Sequence, residues 1–259
     1  MMKLKLKHAI AAAAAIAACA SFTPASAIAA GQVVNVGTEP AFAPFEYVND
    51  KSKDKEIIGF DIDMINAIGQ KEGFKVKLYP MQFDGLIPAV LTGAIDAAVA
   101  GITITDERKK KVDFSDPYYK AGLGIIINNK VKDSVRSAAD LKGHKLCSQI
   151  GTSGAMYASK VPGSTLTTFN TPPESYIELQ NGGCDAAIND YPVHAYFMET
   201  SKPANLTLLP DRLTSEQYGI MLSKQKPEIA KMINDGLAKI KQDGTFDKIY
   251  RKWFGDAAE

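Results

Sequence analysis

The stretch Ala100-Gly-Ile-Thr-Ile-Thr-Asp-Glu-Arg-Lys-Lys-Lys-Val-Asp-Phe-Ser-Asp-Pro-Tyr-Tyr-Lys120 decides the fold. A mostly apolar run from Ala94 to Ile102 reads as a buried strand that leads into Thr103 and then into Arg108. In open α/β sheets, ligands bind beyond the ends of such strands. A guanidinium placed there clamps a carboxylate through two parallel hydrogen bonds, while the Gly101 carbonyl and the Thr103 hydroxyl accept from an ammonium. Together these groups complement a small molecule with both charges on one carbon.

Outward from this point, strand and helix patterns alternate, which argues for an α/β chain with largely parallel sheets. Strands are expected at Gln32–Gly37, Lys75–Tyr79 and Ala94–Ile102, with helices at Phe60–Gly69 and Leu86–Leu91 between them. A second round begins at Gly122–Ile127. It continues through strand Lys145–Ile150, a Gly151-Thr-Ser-Gly154 loop with a helix, strand Thr165–Phe169, helix Pro173–Gln180 and strand Cys184–Ile188. Strand Tyr218–Leu222 and helices Pro227–Gln242 and Phe246–Trp253 close the chain. Each round is about the size of a lobe, so the duplicated pattern predicts two lobes with a ligand cleft between them.

The first 27 residues read as a secretory signal peptide. Lys3, Lys5 and Lys7 precede an alanine-rich run from Ala9 to Ala20, and Ala25-Ser26-Ala27 supplies the cleavage site. Release into the periplasm is favoured over lipid anchoring at Cys19, because Ile16-Ala17-Ala18-Cys19 carries Ile where a lipobox normally has Leu. Three of the 30 basic residues lie in this leader, leaving 27 against 29 acidic ones and a net charge of −2. Such a balance gives no electrostatic case for nucleic acid. His144 and His194 have no Cys, Asp or Glu at metal-ligand spacing, and the chain carries no nucleophile elbow or Walker loop. Neither an enzyme nor a cofactor is expected.

Several blocks occur in order along the chain: Ala41-Phe-Ala-Pro-Phe-Glu46, Gly59-Phe-Asp-Ile-Asp63, Ala100 to Lys110, Asp113-Phe-Ser-Asp116, Gln217-Tyr-Gly-Ile220, and Gly244-Thr-Phe to Lys252-Trp-Phe-Gly255. In these the sequence resembles the periplasmic solute-binding proteins of ABC importers for polar amino acids (family 3), most closely their glutamine-binding members. The resemblance implies a type II two-lobe periplasmic-binding-protein fold, each lobe a mostly parallel sheet flanked by helices, with two hinge strands. Lobe 1 would be discontinuous, residues 32–117 and 219–255, and lobe 2 residues 123–213. The implied function is extracytoplasmic capture of a free L-amino acid and its delivery to an ABC permease in the membrane, by a monomer.

The same resemblance implies the site. Arg108 grips the α-carboxylate, aided by backbone N–H groups near Ser153. Gly101, Thr103 and Asp190 receive the α-ammonium, and Phe42 and Phe83 sandwich the aliphatic stem. Asp190 is also expected to cap the helix that starts at Tyr191-Pro192. The side-chain pocket departs from the glutamine-binding pattern: Glu39 replaces an Asp, Gln149 a Lys, Asn189 a His and Ser153 a Gly. Loss of the Lys disfavours an acidic side chain. Glutamine remains the first expectation, with arginine or lysine next, and a periplasmic dehydratase of prephenate-like acids is the alternative on this fold. Cys147 and Cys184, the two cysteines left after the leader, fall on strands that the implied topology makes neighbours, and are expected to form a disulfide.

Overall fold

The computed structural model describes residues 31–256. The signal peptide and Cys19 lie outside the described residues. In chain order the first elements are β1 (Val33–Thr38), β2 (Ala41–Phe42), β3 (Glu46–Val48), β4 (Ile57–Ile58), α1 (Phe60–Glu72), β5 (Lys75–Pro80), α2 (Leu86–Thr92), β6 (Ala97–Ala98), α3 (Asp106–Lys111) and β7 (Asp113–Phe114). Then come β8 (Tyr119–Ala121), β9 (Leu123–Asn128), β10 (Lys145–Gln149), α4 (Ser153–Ala158), β11 (Thr165–Phe169), α5 (Pro172–Asn181), β12 (Ala186–Asp190), α6 (Tyr191–Ser201) and β13 (Leu206–Leu208). The chain ends with β14 (Glu216–Tyr218), β15 (Met221–Leu222), α7 (Pro227–Gln242) and α8 (Thr245–Phe254).

Two five-stranded sheets result, ordered β5-β1-β6-β15-β7 and β11-β10-β12-β9-β13. Each contains one reversed strand, β15 in the first and β9 in the second. Both reversed strands follow a crossing segment. β8 leads into β9 and β14 into β15, and β8 and β14 pair antiparallel with Tyr218 opposite Tyr119. This is the type II periplasmic-binding-protein fold, with the crossing pair as the link between its lobes.

The first sheet is covered by α1 and α7, which pack Met64, Ile65 and Ile68 against Ile229, Ile233, Leu237 and Ile240. The amphipathic spacing of these helices supplies that apolar stripe. An aromatic cluster ties the crossing strands to this core, with Phe45 edge-on to Tyr119 at 4.9 Å and to Tyr218 at 5.2 Å. The second lobe has its own core around Ile125, Ile127, Leu146 and Ile188.

Three elements differ from expectation. The strand expected over Ala94–Ile102 is reduced to Ala97–Ala98. Gly101 turns with φ +51°, and its N–H leaves the ladder for the Asp61 carboxylate at 2.8 Å. The strand expected over Tyr218–Leu222 is broken at Gly219 and Ile220, whose N–H groups go to Ile102 O and Ser115 Oγ. β12 starts two residues after Cys184 and runs to Asp190.

Cys147 and Cys184 form a disulfide at a Cα–Cα distance of 5.9 Å, joining β10 to the loop before its neighbour β12. It closes a chain separation of 37 residues within one sheet. Replacing both cysteines by alanine should therefore destabilise the fold by ~3–4 kcal/mol through the loop-entropy effect. Denaturant melts read that loss, and ligand affinity should stay within about twofold because the bridge crosses no lobe boundary.

Candidate functional site

The end of β6, the first turn of α4 and the end of β12 converge where the two sheets face each other. Phe42, Phe83, Gly101, Thr103, Arg108, Ser153 and Asp190, all expected from the sequence, line one small cavity together with Thr152. Its volume is ≈ 10 Å³, room for about one water. A larger cavity of ≈ 390 Å³ opens on the other side of Arg108, between Ile87, Glu107 and Lys111 of one lobe and Ile150, Met156 and Thr168 of the other. Arg108 and Thr152 line both.

Arg108 sits on α3, whose first turn is capped by Thr105 through its hydroxyl at 3.1 Å from the Arg108 N–H. The residue is 5% exposed. Nη1 donates to Thr103 O at 2.7 Å and Nη2 to Gly151 O at 3.0 Å, one carbonyl from each lobe. Five N–H donors are available in all, so donors remain for a carboxylate. The Phe83 ring lies 5.3 Å from the guanidinium carbon. Burial pulls the Arg108 pKa down, and the charges of Asp190 and Glu216 oppose that pull.

Gly101 is required where it stands. A Cβ there would come within 2.5 Å of the Phe42 ring, and the φ of +51° disfavours other residues. Its N–H and the Tyr118 hydroxyl, at 2.7 Å, both donate to Asp61 Oδ2. Fully buried Glu46 neighbours Asp61, and burial raises both carboxyls, Asp61 to about 7 and Glu46 well above its usual range. The neighbouring Asp61 adds to the upward push on Glu46. The Asp61 carboxyl thus holds the Gly101 backbone through its N–H, at a residue that lines the cavity.

Asp190 ends β12 and is 3% exposed. Its Oδ1 accepts from the Tyr218 hydroxyl at 2.6 Å, a bond from the crossing strand into the second lobe. The expected helix cap is not made: Asp190 occupies the N-cap position of α6 without a side-chain capping bond, because its carboxylate is turned to Tyr218. Burial pushes its pKa up to about 7, tempered by that hydroxyl and by Arg108.

The remaining three expected residues lie outside this cavity. Glu39 follows β1 and Gln149 ends β10, and the two side chains meet across the lobe boundary. Both are buried, and each keeps an oxygen without a partner, Glu39 Oε2 and Gln149 Oε1. The Gln149 amide nitrogen is engaged with Asn170 O at 2.9 Å. Burial lifts Glu39 to about 7, with Gln149 lowering it and Glu174 raising it further. Asn189 is buried with neither amide atom bonded, on the face of β12 opposite to Asp190. Nearby, His194 accepts from the Asn189 N–H and bonds Tyr176, and burial lowers its pKa to about 3, so it is a neutral core histidine.

Glu216 was not expected. Its carboxylate receives the hydroxyls of Thr103 and Ser153 at 2.8 and 3.0 Å. Only its position next to Gln217-Tyr-Gly-Ile220 marked it in the sequence. Among the described residues no group of His, Cys, Asp and Glu is placed to hold a metal.

The fold and this inter-lobe site define a two-lobe binding protein. Residues 34–256 match the bacterial extracellular solute-binding proteins, family 3, and the chain belongs to that family. A probable histidine-binding protein of Neisseria gonorrhoeae is 36% identical over 86% of this chain and 84% of its own length. An ancestral arginine-binding protein bound to arginine superposes with a TM-score of 0.81 at 41% identity, covering 87% of this chain and 100% of that one. An ancestral amino-acid-binding protein, a precursor of cyclohexadienyl dehydratase, superposes at 0.78 with 38% identity over 86% and 95%.

The fork geometry of Arg108 gives a test. Arg108→Lys keeps the charge but cannot bridge two lobes and clamp a carboxylate at once. Titration calorimetry should show amino-acid affinity reduced at least about tenfold, with the far-ultraviolet circular dichroism unchanged.

Proposed function

We propose that this chain is the periplasmic, monomeric binding component of an ABC importer, and that it captures a free L-amino acid with a cationic side chain, arginine first and lysine next. Glutamine is the second choice. In this reading 32–117 with 219–255 is lobe 1, 123–213 is lobe 2, and the closed protein docks on a membrane permease. Among the described residues no helix is long and apolar enough to cross a membrane.

The observation that carries the ligand class is the pair of orphaned buried acceptors, Glu39 Oε2 and Gln149 Oε1, one from each lobe. A buried acceptor without a donor costs about 1–3 kcal/mol, a cost that N–H groups on the ligand's far end would remove. A guanidinium brings five and neutralises Glu39. A glutamine amide brings two, together with a carbonyl that needs a donor of its own. Charge agrees: Asp190 and Glu216 oppose the Arg108 guanidinium, and Glu39 adds a further buried carboxyl. An ancestral arginine-binding protein bound to arginine supports the same class, and one bound to glutamine keeps the alternative.

At the other end, Arg108 and backbone N–H groups hold the α-carboxylate, and Gly101 O, Thr103 and Asp190 hold the ammonium. Phe42 and Phe83 flank the stem. The ≈ 10 Å³ cavity admits no amino acid, so entry requires the lobes to part about β8 and β14. A ligand that touches both lobes then favours the closed arrangement by its differential binding. A dehydratase would use Glu39 as its acid, but prephenate has no ammonium for Asp190 and Thr103 to accept.

The sign of the pH dependence follows from the raised carboxyls. As pH falls through about 7, Glu39 and Asp190 take up protons in the free protein, and each protonation opposes a cation. Loss of Asp190 charge weakens every amino acid, whereas loss of Glu39 charge weakens only cationic side chains. From pH 8 to 5.5, arginine should lose roughly tenfold more affinity than glutamine, and Glu39→Gln should erase that difference. Calorimetry with both ligands decides; equal losses for the two in the unaltered protein would overturn the cationic reading.

A further inference from the structure

The crossing strand β14 begins at Glu216, half-buried and opposite Ala121 of β8. Its Oε2 is the shared acceptor of Thr103 Oγ1 at 2.8 Å, from lobe 1, and Ser153 Oγ at 3.0 Å, from lobe 2. Its Oε1 accepts from Thr214 Oγ1 at 3.0 Å. That threonine in turn accepts the Leu123 N–H at 2.9 Å, which directs its single proton to Glu216. The carboxylate is thus held from three sides by groups of both lobes and the hinge.

A carboxylate only accepts, and a hydroxyl has one proton. The protons of Thr103 and Ser153 are both committed to Glu216, so their mutual approach of 3.4 Å leaves neither as donor to the other. Only lone pairs remain on the Thr103 oxygen that faces the cavity. An oxygen in that state welcomes an N–H⁺ and repels another acceptor. With a neutral hydrogen-bonding group in place of Glu216, the Thr103 hydroxyl would be free to turn and donate.

We propose that Glu216 is a positioning residue that sets the hydrogen-bond polarity of the site: by taking the Thr103 and Ser153 protons it makes Thr103 Oγ1 an obligate acceptor, so the site selects an α-ammonium. The inference rests on the amino-acid reading above and is independent of which side chain is bound. A site built to hydrogen-bond one group rejects analogues that lack it, because its own polar atoms are then left unpaired.

The test compares each amino acid with its desamino analogue, L-arginine with 5-guanidinopentanoate and L-glutamine with glutaramate. Calorimetry is run on the unaltered protein, Glu216→Gln, Thr103→Val and the double variant. The unaltered protein should prefer the amino acid it binds over the analogue by at least about a hundredfold. Glu216→Gln should cut that ratio tenfold or more by weakening the amino acid, leaving the analogue within about twofold, and it should add nothing to Thr103→Val. A loss shared equally by amino acid and analogue would make Glu216 merely structural. An unchanged ratio, or additive effects of the two substitutions, would equally overturn the proposal. Binding of neither amino acid by the unaltered protein would instead remove the functional reading, and this inference with it. Should Glu216→Gln fail to fold, Glu216→Asp keeps the charge but shortens the reach, and is expected to lower the same ratio.

Discussion

The buried guanidinium of Arg108 is the constraint around which the rest is arranged. A charge on a residue only 5% exposed at the boundary of two lobes must be paired and hydrogen-bonded. One carbonyl from each lobe, Thr103 O and Gly151 O, meets its nitrogens, and Asp190 and Glu216 supply the opposing charge. Because these partners come from both lobes, the state of Arg108 and the relative position of the lobes are one variable. Gly151 shows how close the approach is: a Cβ there would lie 3.2 Å from Asp84 of the other lobe.

The crossing strands convert this local demand into a global one. Tyr218 packs in the aromatic core of lobe 1 and bonds Asp190 of lobe 2 through its hydroxyl. Two residues earlier, Glu216 gathers Thr103 and Ser153. Beneath the site, Asp61 holds the Gly101 amide and the hydroxyl of Tyr118, the residue before the other crossing strand. Gly101 and Thr103 are thus each held by an acid, Asp61 and Glu216, while Asp190 is held by a hydroxyl.

Much of this was legible in the sequence because it is local. The strand–Thr103–Arg108 run fixes three site groups within eight residues, whereas the packing of Phe42 against Gly101 is visible only in the fold. What was hidden is long-range. Thr103 and Glu216 are 113 residues apart, and only the crossing strands bring them together. The length of the strand ending at Ile102 was overread, since apolar residues continue while the Gly101 backbone turns away to Asp61. The helix cap assigned to Asp190 was plausible from local rules and was overridden by a tertiary hydroxyl. Asn189 shares the burial of its neighbour but, by strand alternation, not its direction.

The central claim is that a free amino acid is gripped between the lobes by its two backbone charges. A thermal-shift screen of the unfolded and refolded mature protein against the common L-amino acids and prephenate tests it most directly, refolding being needed to clear any ligand carried through purification. The account predicts saturable stabilisation by L-amino acids, largest for arginine. No stabilisation by any amino acid, or stabilisation or turnover with prephenate alone, would contradict it.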